Sequence, residues 1–368
     1  MKNGVVVPTE VELKTRAHGN TTVERRHAVA RFMLDYGMLW IGVLAIMVAQ
    51  TIWGSFLSWE NVRVMLNENA PLGIVAIGQT IVILLGGFDL SVGSALALSA
   101  VVYATWAQHN PLMVAAAVAL ICGFGVGAVN AVLVTRFRIN AFIATLASGS
   151  AIGGLSYIYS HSLPIIVNKP AFATLGTSNW VGIPVDAWVL IGFFVVGQLV
   201  LSYTKYGRAA YATGGNREAA RLAGLRVDFI LASAFVVSGG LAGFGGLIMA
   251  SHLSLAQANF SGSFALDSIA IVVIGGTSLS GGEGSVWRTA VGFIIITTIT
   301  DVLNAKAVNA EWGDVVVGAV LVAAVGLDHV SRRLRERAGS GAVDNEQPHS
   351  TRATLVSAPG MAEQEVEQ

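Results

Sequence analysis

The sequence predicts an all-α polytopic membrane protein with about ten transmembrane helices, and three observations predict it. Ten apolar runs, each long enough to cross a bilayer, follow one another between residues 36 and 328. Charged residues make up 12% of the 368-residue chain, about half the share of a soluble domain, and mean hydropathy is +0.66. The cations are unevenly placed. With the N-terminus inside and the spans alternating, 19 of the 22 Lys and Arg lie on one side, which the positive-inside rule assigns to the cytoplasm.

Residues 1–35 carry Lys2, Lys14, Arg16, Arg25, Arg26 and Arg31 and read as a cytoplasmic tail. The first apolar run, 36–56, then reads as a signal anchor rather than a cleaved leader. Further spans fall at 72–88, 91–107, 112–134, 141–160, 185–203, 229–250, 264–280, 286–304 and 312–328. Glycines interrupt the 72–107 and 264–304 pairs, so part of either can be re-entrant. Only Arg63, Lys169 and Lys306 fall outside, and the eight tryptophans lie near predicted span ends, where amphipathic rings prefer to sit. Pro164, Pro170 and Pro184 keep any helix in the long external loop between Ser160 and Val185 short. RRLRER at 332–337 forms a basic collar suited to anionic lipid, and 338–368 reads as disordered. The chain thus divides into a cytoplasmic tail 1–35, a transmembrane domain 36–330 containing a cytoplasmic loop 204–228, and a cytoplasmic tail 331–368.

Residues 84–91 (LLGGFDLS) and 273–280 (VIGGTSLS) repeat one motif, each at the inner end of a span and each followed by a glycine-containing segment. In this topology the two copies point the same way, as in a parallel internal repeat, one plan on which transporters are built.

Several features bear on function. Loop 204–228, TKYGRAAYATGGNREAARLAGLRVD, carries five cations against Glu218 and Asp228. Asn216 can cap a two-turn helix over Arg217–Ala223, with Gly224 as terminator. Its pattern reads equally as a helix for a partner's groove and as a solvated positive loop. Asp89 is the only formally charged residue between Pro71 and Thr135. It suits either a cap on the next helix or a gating role at membrane depth. Gln79, Asn130, Thr145, Ser148 and Ser238 lie within spans, where they can line a path for a polyhydroxylated solute or hydrogen-bond between helices. Gly123, Gly125, Gly127, Gly239, Gly240 and Gly243 give small-residue spacings that permit close helix contact. The single Cys122 forms no internal disulfide. No phosphate loop, HExxH, CxxC or GxSxG pattern occurs, which leaves no sequence basis for ATP hydrolysis, metal, cofactor or nucleic-acid binding by this chain.

GGFDLSVGSALALSA (86–100), RFRINAFIATL (136–146), the loop 204–228 with SGGLAGFGGLIMAS (238–251), and LDSIAIVVIGGTSLSGGEGSVW (266–287) resemble the permease subunits of bacterial ABC importers for monosaccharides. The resemblance covers residues 36–330. It departs from the common pattern at Asn140 and Ala141, at Gly153 and Gly154, at Glu283 and at Val317, which bears on the identity of the sugar and not on the fold. It implies an inner-membrane permease homodimer that receives a monosaccharide or sugar alcohol from a periplasmic binding protein. It also implies that ATP is hydrolysed by a separate ATPase subunit docked on loop 204–228. Gly214, Gly215, Asn216, Glu218, Ala219, Ala220 and Gly224 match the family's docking motif. Arg217 and Leu222 of the same two-turn helix complete the docking set. Asp89 matches the family's acidic position in GG-x-D-LS-x-G. With Gln79, Ser91, Asn130, Thr145 and Ser148 it forms the expected pathway or gating set. The competing expectation is an ion-coupled secondary transporter, whose marks are inverted repeats and midplane charges.

Overall fold

A computed structural model describes residues 37–309, 312–323 and 326. The predicted tails, the basic collar and the end of the last predicted span lie outside the described residues. The compact unit runs to Val325, and of the unit Gly326–Gln368 only Gly326 is described.

The chain forms α1 (Gly37–Ile52), α2 (Trp59–Leu84), α3 (Val92–His109), α4 (Leu112–Thr135) and α5 (Ala141–Tyr159) in succession. After β1 (Ile165–Ile166) come α6 (Pro170–Thr177), β2 (Asn179–Trp180), β3 (Ile183–Pro184) and α7 (Val185–Tyr203). Two short helices follow, α8 (Lys205–Gly215) and α9 (Arg217–Leu222). The last elements are α10 (Val227–Leu253), β4 (Leu255–Ala256), a 3₁₀ turn (Ala258–Ser261), α11 (Phe264–Ile274), α12 (Val286–Ala305) and α13 (Trp312–Ala323). A helix occupies each of the ten apolar runs. Five helices, α4, α5, α7, α10 and α12, are long and apolar enough by themselves to cross a membrane.

α10 is the central element, packed against α2, α3 and α4. Its contact with α4 is backbone to backbone. A Cβ on Gly239 would sit 2.4 Å from the Gly123 carbonyl oxygen, and one on Gly127 would sit 2.3 Å from that of Phe235. The small-residue spacing therefore does what such spacings permit, bringing helix axes together without intervening side chains. The outer faces are apolar. Met113, Ile121, Ile143, Ile158 and Phe229 are exposed, as they are where lipid rather than water is the solvent.

Two boundaries differ from the sequence expectation. α2 begins at Trp59, not at residue 72, because Ser58 caps it by accepting from the Asn61 N–H. The first turns carry Glu60, Arg63 and Glu68, so hydropathy ends before the helix does. The run 264–280 divides into α11 and a loop that opens with Gly276 at φ +82°. The two GG motifs close their helices alike. Gly86 and Gly87 donate back to Ile83 and Val82, as Gly276 and Thr277 do to Val273 and Val272. Both are Schellman-type closures, and the structural match is one residue out of step with the sequence echo.

β1 pairs antiparallel with β4, and β2 with β3 through a two-residue turn at Val181 and Gly182, both at positive φ. These short pieces and the eight-residue α6 lie at the end of the bundle opposite α8 and α9.

Candidate functional site

Two groups of predicted residues occupy different places. The first is the loop at one end of the bundle. α8 was not expected; Thr204 caps it, accepting from the Gly207 N–H. α9 follows the expectation closely. The Asn216 side chain accepts from the N–H groups of Glu218 and Ala219, both at 3.0 Å, and Gly224 leaves the helix at φ +83°. An N-cap oxygen and a left-handed glycine are the two ends such a short helix needs.

The nine docking candidates do not all face the same way. Asn216, Glu218, Ala219, Leu222 and Gly224 are exposed, and Leu222 is 81% accessible. Ala220 is 5% accessible and turns inward. Arg217 is exposed along its length, but its guanidinium donates to the Leu85 carbonyl at 2.7 Å. Gly214 lies where a Cβ would meet the Leu84 carbonyl oxygen at 2.0 Å, whereas a Cβ on Gly215 would meet nothing. Tyr211, absent from the predicted set, donates its hydroxyl to the Gly284 carbonyl at 2.7 Å. Burial raises this phenol above the usual tyrosine range, with Arg288 offsetting part of the effect, so it is a donor at neutral pH.

The second group is deeper. Asp89 is fully buried. Its Oδ1 accepts from the Ser91 N–H at 3.0 Å and the Ser91 hydroxyl at 2.6 Å, and its Oδ2 accepts from the Ser238 hydroxyl at 2.9 Å. The Asn130 Nδ2 donates to Ser91 Oγ at 2.7 Å, and the Ser148 hydroxyl donates to Asn130 Oδ1 at 2.5 Å. Thr145 Oγ1 accepts from the Leu90 N–H at 3.1 Å. The Gln79 amide, oriented to satisfy both of its atoms, donates to the Asp89 carbonyl at 3.2 Å and accepts from the Asp89 N–H at 3.3 Å. All six predicted pathway residues, with Ser238, therefore belong to one connected network that joins α2, α4, α5 and α10 to the loop before α3.

That network is closed. Each of the seven side chains is less than a tenth exposed. Asp89 makes an Asx-type bond to the Ser91 N–H, but the N-cap of α3 is Ser91 and that helix has no side-chain cap bond, so Asp89 is not its cap. Its second oxygen holds α10, which capping does not require. Among the described residues no cation pairs with it. Satisfied in this way, the network fixes helix positions; in this conformation none of its members lines either of the two cavities described next.

Both cavities lie at the other end of the bundle. One, of about 270 Å³, is lined by Arg63, Asn67, Gly176, Asn179 and His252 among others. The other, of about 250 Å³, is lined by Asn69, Asp267, Thr300, Asp301, Asn304 and Asp314 among others. None of these residues is a sequence candidate, because they lie near or beyond the ends of the apolar runs, where polarity also marks a span boundary. Asp267, Asp301, Asn304 and Asp314 nevertheless fall inside predicted spans, and that is the available signal.

A bundle of helices with apolar outer faces, an internal polar network and an exposed helix at one end is the architecture of a multi-pass membrane protein. A family model described as the permease component of a branched-chain amino acid transport system matches residues 65–325. The ribose import permease protein RbsC of Haemophilus influenzae is 35% identical over 82% of this chain and 95% of its own. RbsC of Bacillus subtilis is 38% identical over 74% of this chain and 86% of its own. The L-arabinose transport system permease protein AraH of Escherichia coli is 31% identical over 86% and 97%. No solved structure matches. The chain belongs to this permease family and is a multi-pass, non-catalytic transmembrane subunit of the bacterial ABC importer class.

Proposed function

We propose that this subunit moves a ribose- or arabinose-type monosaccharide, or a related sugar alcohol, across the bacterial inner membrane by alternating access. A separate ATPase subunit supplies the energy and a periplasmic binding protein delivers the sugar. The observation that carries the reading is α9, a capped helix that exposes Leu222 at one end of the bundle while Arg217 ties it to the loop of Asp89. The names of the relatives support the sugar class. The family description, which names branched-chain amino acids, is broader than those relatives.

In this reading the transmembrane domain is 36–330, with ten spans, a parallel repeat and cytoplasmic tails 1–35 and 331–368. The uneven cation count supports the sidedness. α8 and α9 then lie in the cytoplasm and both cavities face outward. The ATPase contacts Gly215, Asn216, Glu218, Ala219, Leu222 and Gly224, while Gly214, Arg217 and Ala220 shape the docking helix from behind. The permease acts as a homodimer. Gln79, Asp89, Ser91, Asn130, Thr145 and Ser148 gate the path, trading partners with one another or with solute hydroxyls as the bundle opens. The ATPase drives this only by binding two states of the permease with different affinity.

Reconstitution with the ATPase and the binding protein tests the reading. Import is expected to need ATP and both partners and to survive a protonophore. Uptake abolished by the protonophore and indifferent to ATP would establish an ion-coupled transporter instead. A ligand screen of the co-purifying binding protein, with pentoses, hexoses, sugar alcohols and branched-chain amino acids, decides the substrate class.

A further inference from the structure

The limb made of α8 and α9 is held to the bundle by more than its two chain ends. Tyr211 donates to the Gly284 carbonyl at 2.7 Å, and Arg217 to the Leu85 carbonyl at 2.7 Å. Between these bonds, Gly214 packs its backbone on Leu84 and Gly282, leaving no room for a Cβ. The Gly282 N–H donates to the Leu84 carbonyl at 2.8 Å. Three segments remote in sequence, the limb and the glycine loops 85–91 and 275–285, thus meet in one backbone joint. The exposed face of α9 takes no part in it.

The joint is built largely of glycine. Gly276, Gly281 and Gly282 hold φ near +80°, so loop 275–285 can adopt backbone conformations closed to other residues. The hydroxyls of Thr213 and Thr277, beside Gly214 and Gly284, are buried there and bond to no other protein group. Each loop also leads inward. Loop 85–91 carries Asp89 and its network, and loop 275–285 joins α11 to α12.

We infer that Tyr211 is a positioning residue of the transport cycle: through its bond to the Gly284 carbonyl it keeps the loop before α12 in step with the docking helix. Tyr211 holds the loop before α12 to the limb, as Arg217 holds the loop before α3. The inference rests on the reading of the chain as an ATP-driven permease.

The test compares Tyr211→Phe with Tyr206→Phe in proteoliposomes that contain the ATPase and sugar-loaded binding protein. Both variants remove one hydroxyl from the same limb. Tyr206 lies 3.0 Å from Ser233 Oγ on α10 and outside the joint. Three quantities are read: ATPase retained on purification, melting temperature, and sugar imported per ATP hydrolysed. Tyr211→Phe is expected to keep the first two and to lower the third about two- to tenfold, the loss expected for one ordinary hydrogen bond. Tyr206→Phe is expected to change none of them. Unchanged import per ATP in Tyr211→Phe, equal loss in both variants, or loss of the ATPase from Tyr211→Phe would each overturn the inference. Import by the wild-type complex without ATP would instead remove the underlying reading, whatever Tyr211 does.

Discussion

The Asn130 side-chain amide donates to the Ser91 hydroxyl at 2.7 Å and so ties the C-terminal part of α4 to the first residue before α3. Both groups are buried, and Asn130 also accepts from Ser148 on α5. Interhelical hydrogen bonds in membranes are individually modest, about 0.6 kcal/mol on average and up to about 1.7. A double-mutant cycle of Asn130→Ala and Ser91→Ala is expected to give a coupling near the upper end, about 1–1.5 kcal/mol. Unfolding of the purified permease in mild detergent measures it. A coupling of zero would mean that the contact is geometric only.

Asp89 accepts three hydrogen bonds, two from Ser91 and one from Ser238. Asp89→Asn keeps the shape and one acceptor oxygen, and the Ser238 hydroxyl can turn to accept from the new amide. Asp89→Ala strands the donors, at about 1–3 kcal/mol for each buried group left unpaired. Thermal melting should therefore order the proteins wild type, then Asp89→Asn, then Asp89→Ala. If Asp89→Asn melts like the wild type but imports no sugar, the charge serves gating and not packing.

Helix contact and helix propensity separate within one turn and a half of α4. Gly127→Leu forces a side chain onto the Phe235 carbonyl and is expected to destabilise by about 3 kcal/mol or more. Gly125 faces open space, so Gly125→Ala should stabilise slightly, by up to about 1 kcal/mol. Melting of the two variants in the same detergent checks both signs.

On α9 the exposed and inward faces make opposite predictions. Leu222→Asp changes a residue that touches little, and its effect on melting should stay within about 0.5 kcal/mol. If this face docks the ATPase, co-purification of that subunit should fall at least about tenfold, because a charge replaces an apolar anchor at a contact. Ala220→Asp buries a carboxylate beneath the helix and should lower the melting temperature as well. A loss of docking in Ala220→Asp alone would place the contact elsewhere.

What could be read from the chain, and what could not, follows from the range of each force. Hydropathy acts on consecutive residues, so the apolar runs marked where helices lie, and the Asn216 and Gly224 pair marked both ends of α9. Hydropathy failed at α2, whose first turns are polar because Asn67 meets the Gly176 carbonyl and the Asp186 carboxylate, partners more than a hundred positions away. The polar residues within spans stand out singly against their apolar neighbours. That they form one closed network depends on pairings such as Asp89 with Ser238, separated by 149 positions, which no local pattern encodes. α8 was missed for a related reason. With three glycines among eleven residues, its own propensity is poor, and it is packing of Gly207 and Gly214 against backbone that makes glycine favourable there.

Sidedness gives the last prediction. The cation count places Leu163 outside and Glu218 inside, with α7 the only span-length helix between them. It also places Lys306, beyond α12, outside. All three positions are exposed, so cysteines there should react freely. In a Cys122→Ser background, a membrane-impermeant maleimide applied to intact spheroplasts should label Leu163→Cys and Lys306→Cys. Glu218→Cys should label only after the membrane is permeabilised. Moving five loop cations to the outer face would oppose the bias that sets orientation, so the inverted pattern is expected only if the loop charges do not govern insertion. Labelling of all three cysteines from one side would remove a span between them and, with it, the cytoplasmic placement of α8 and α9.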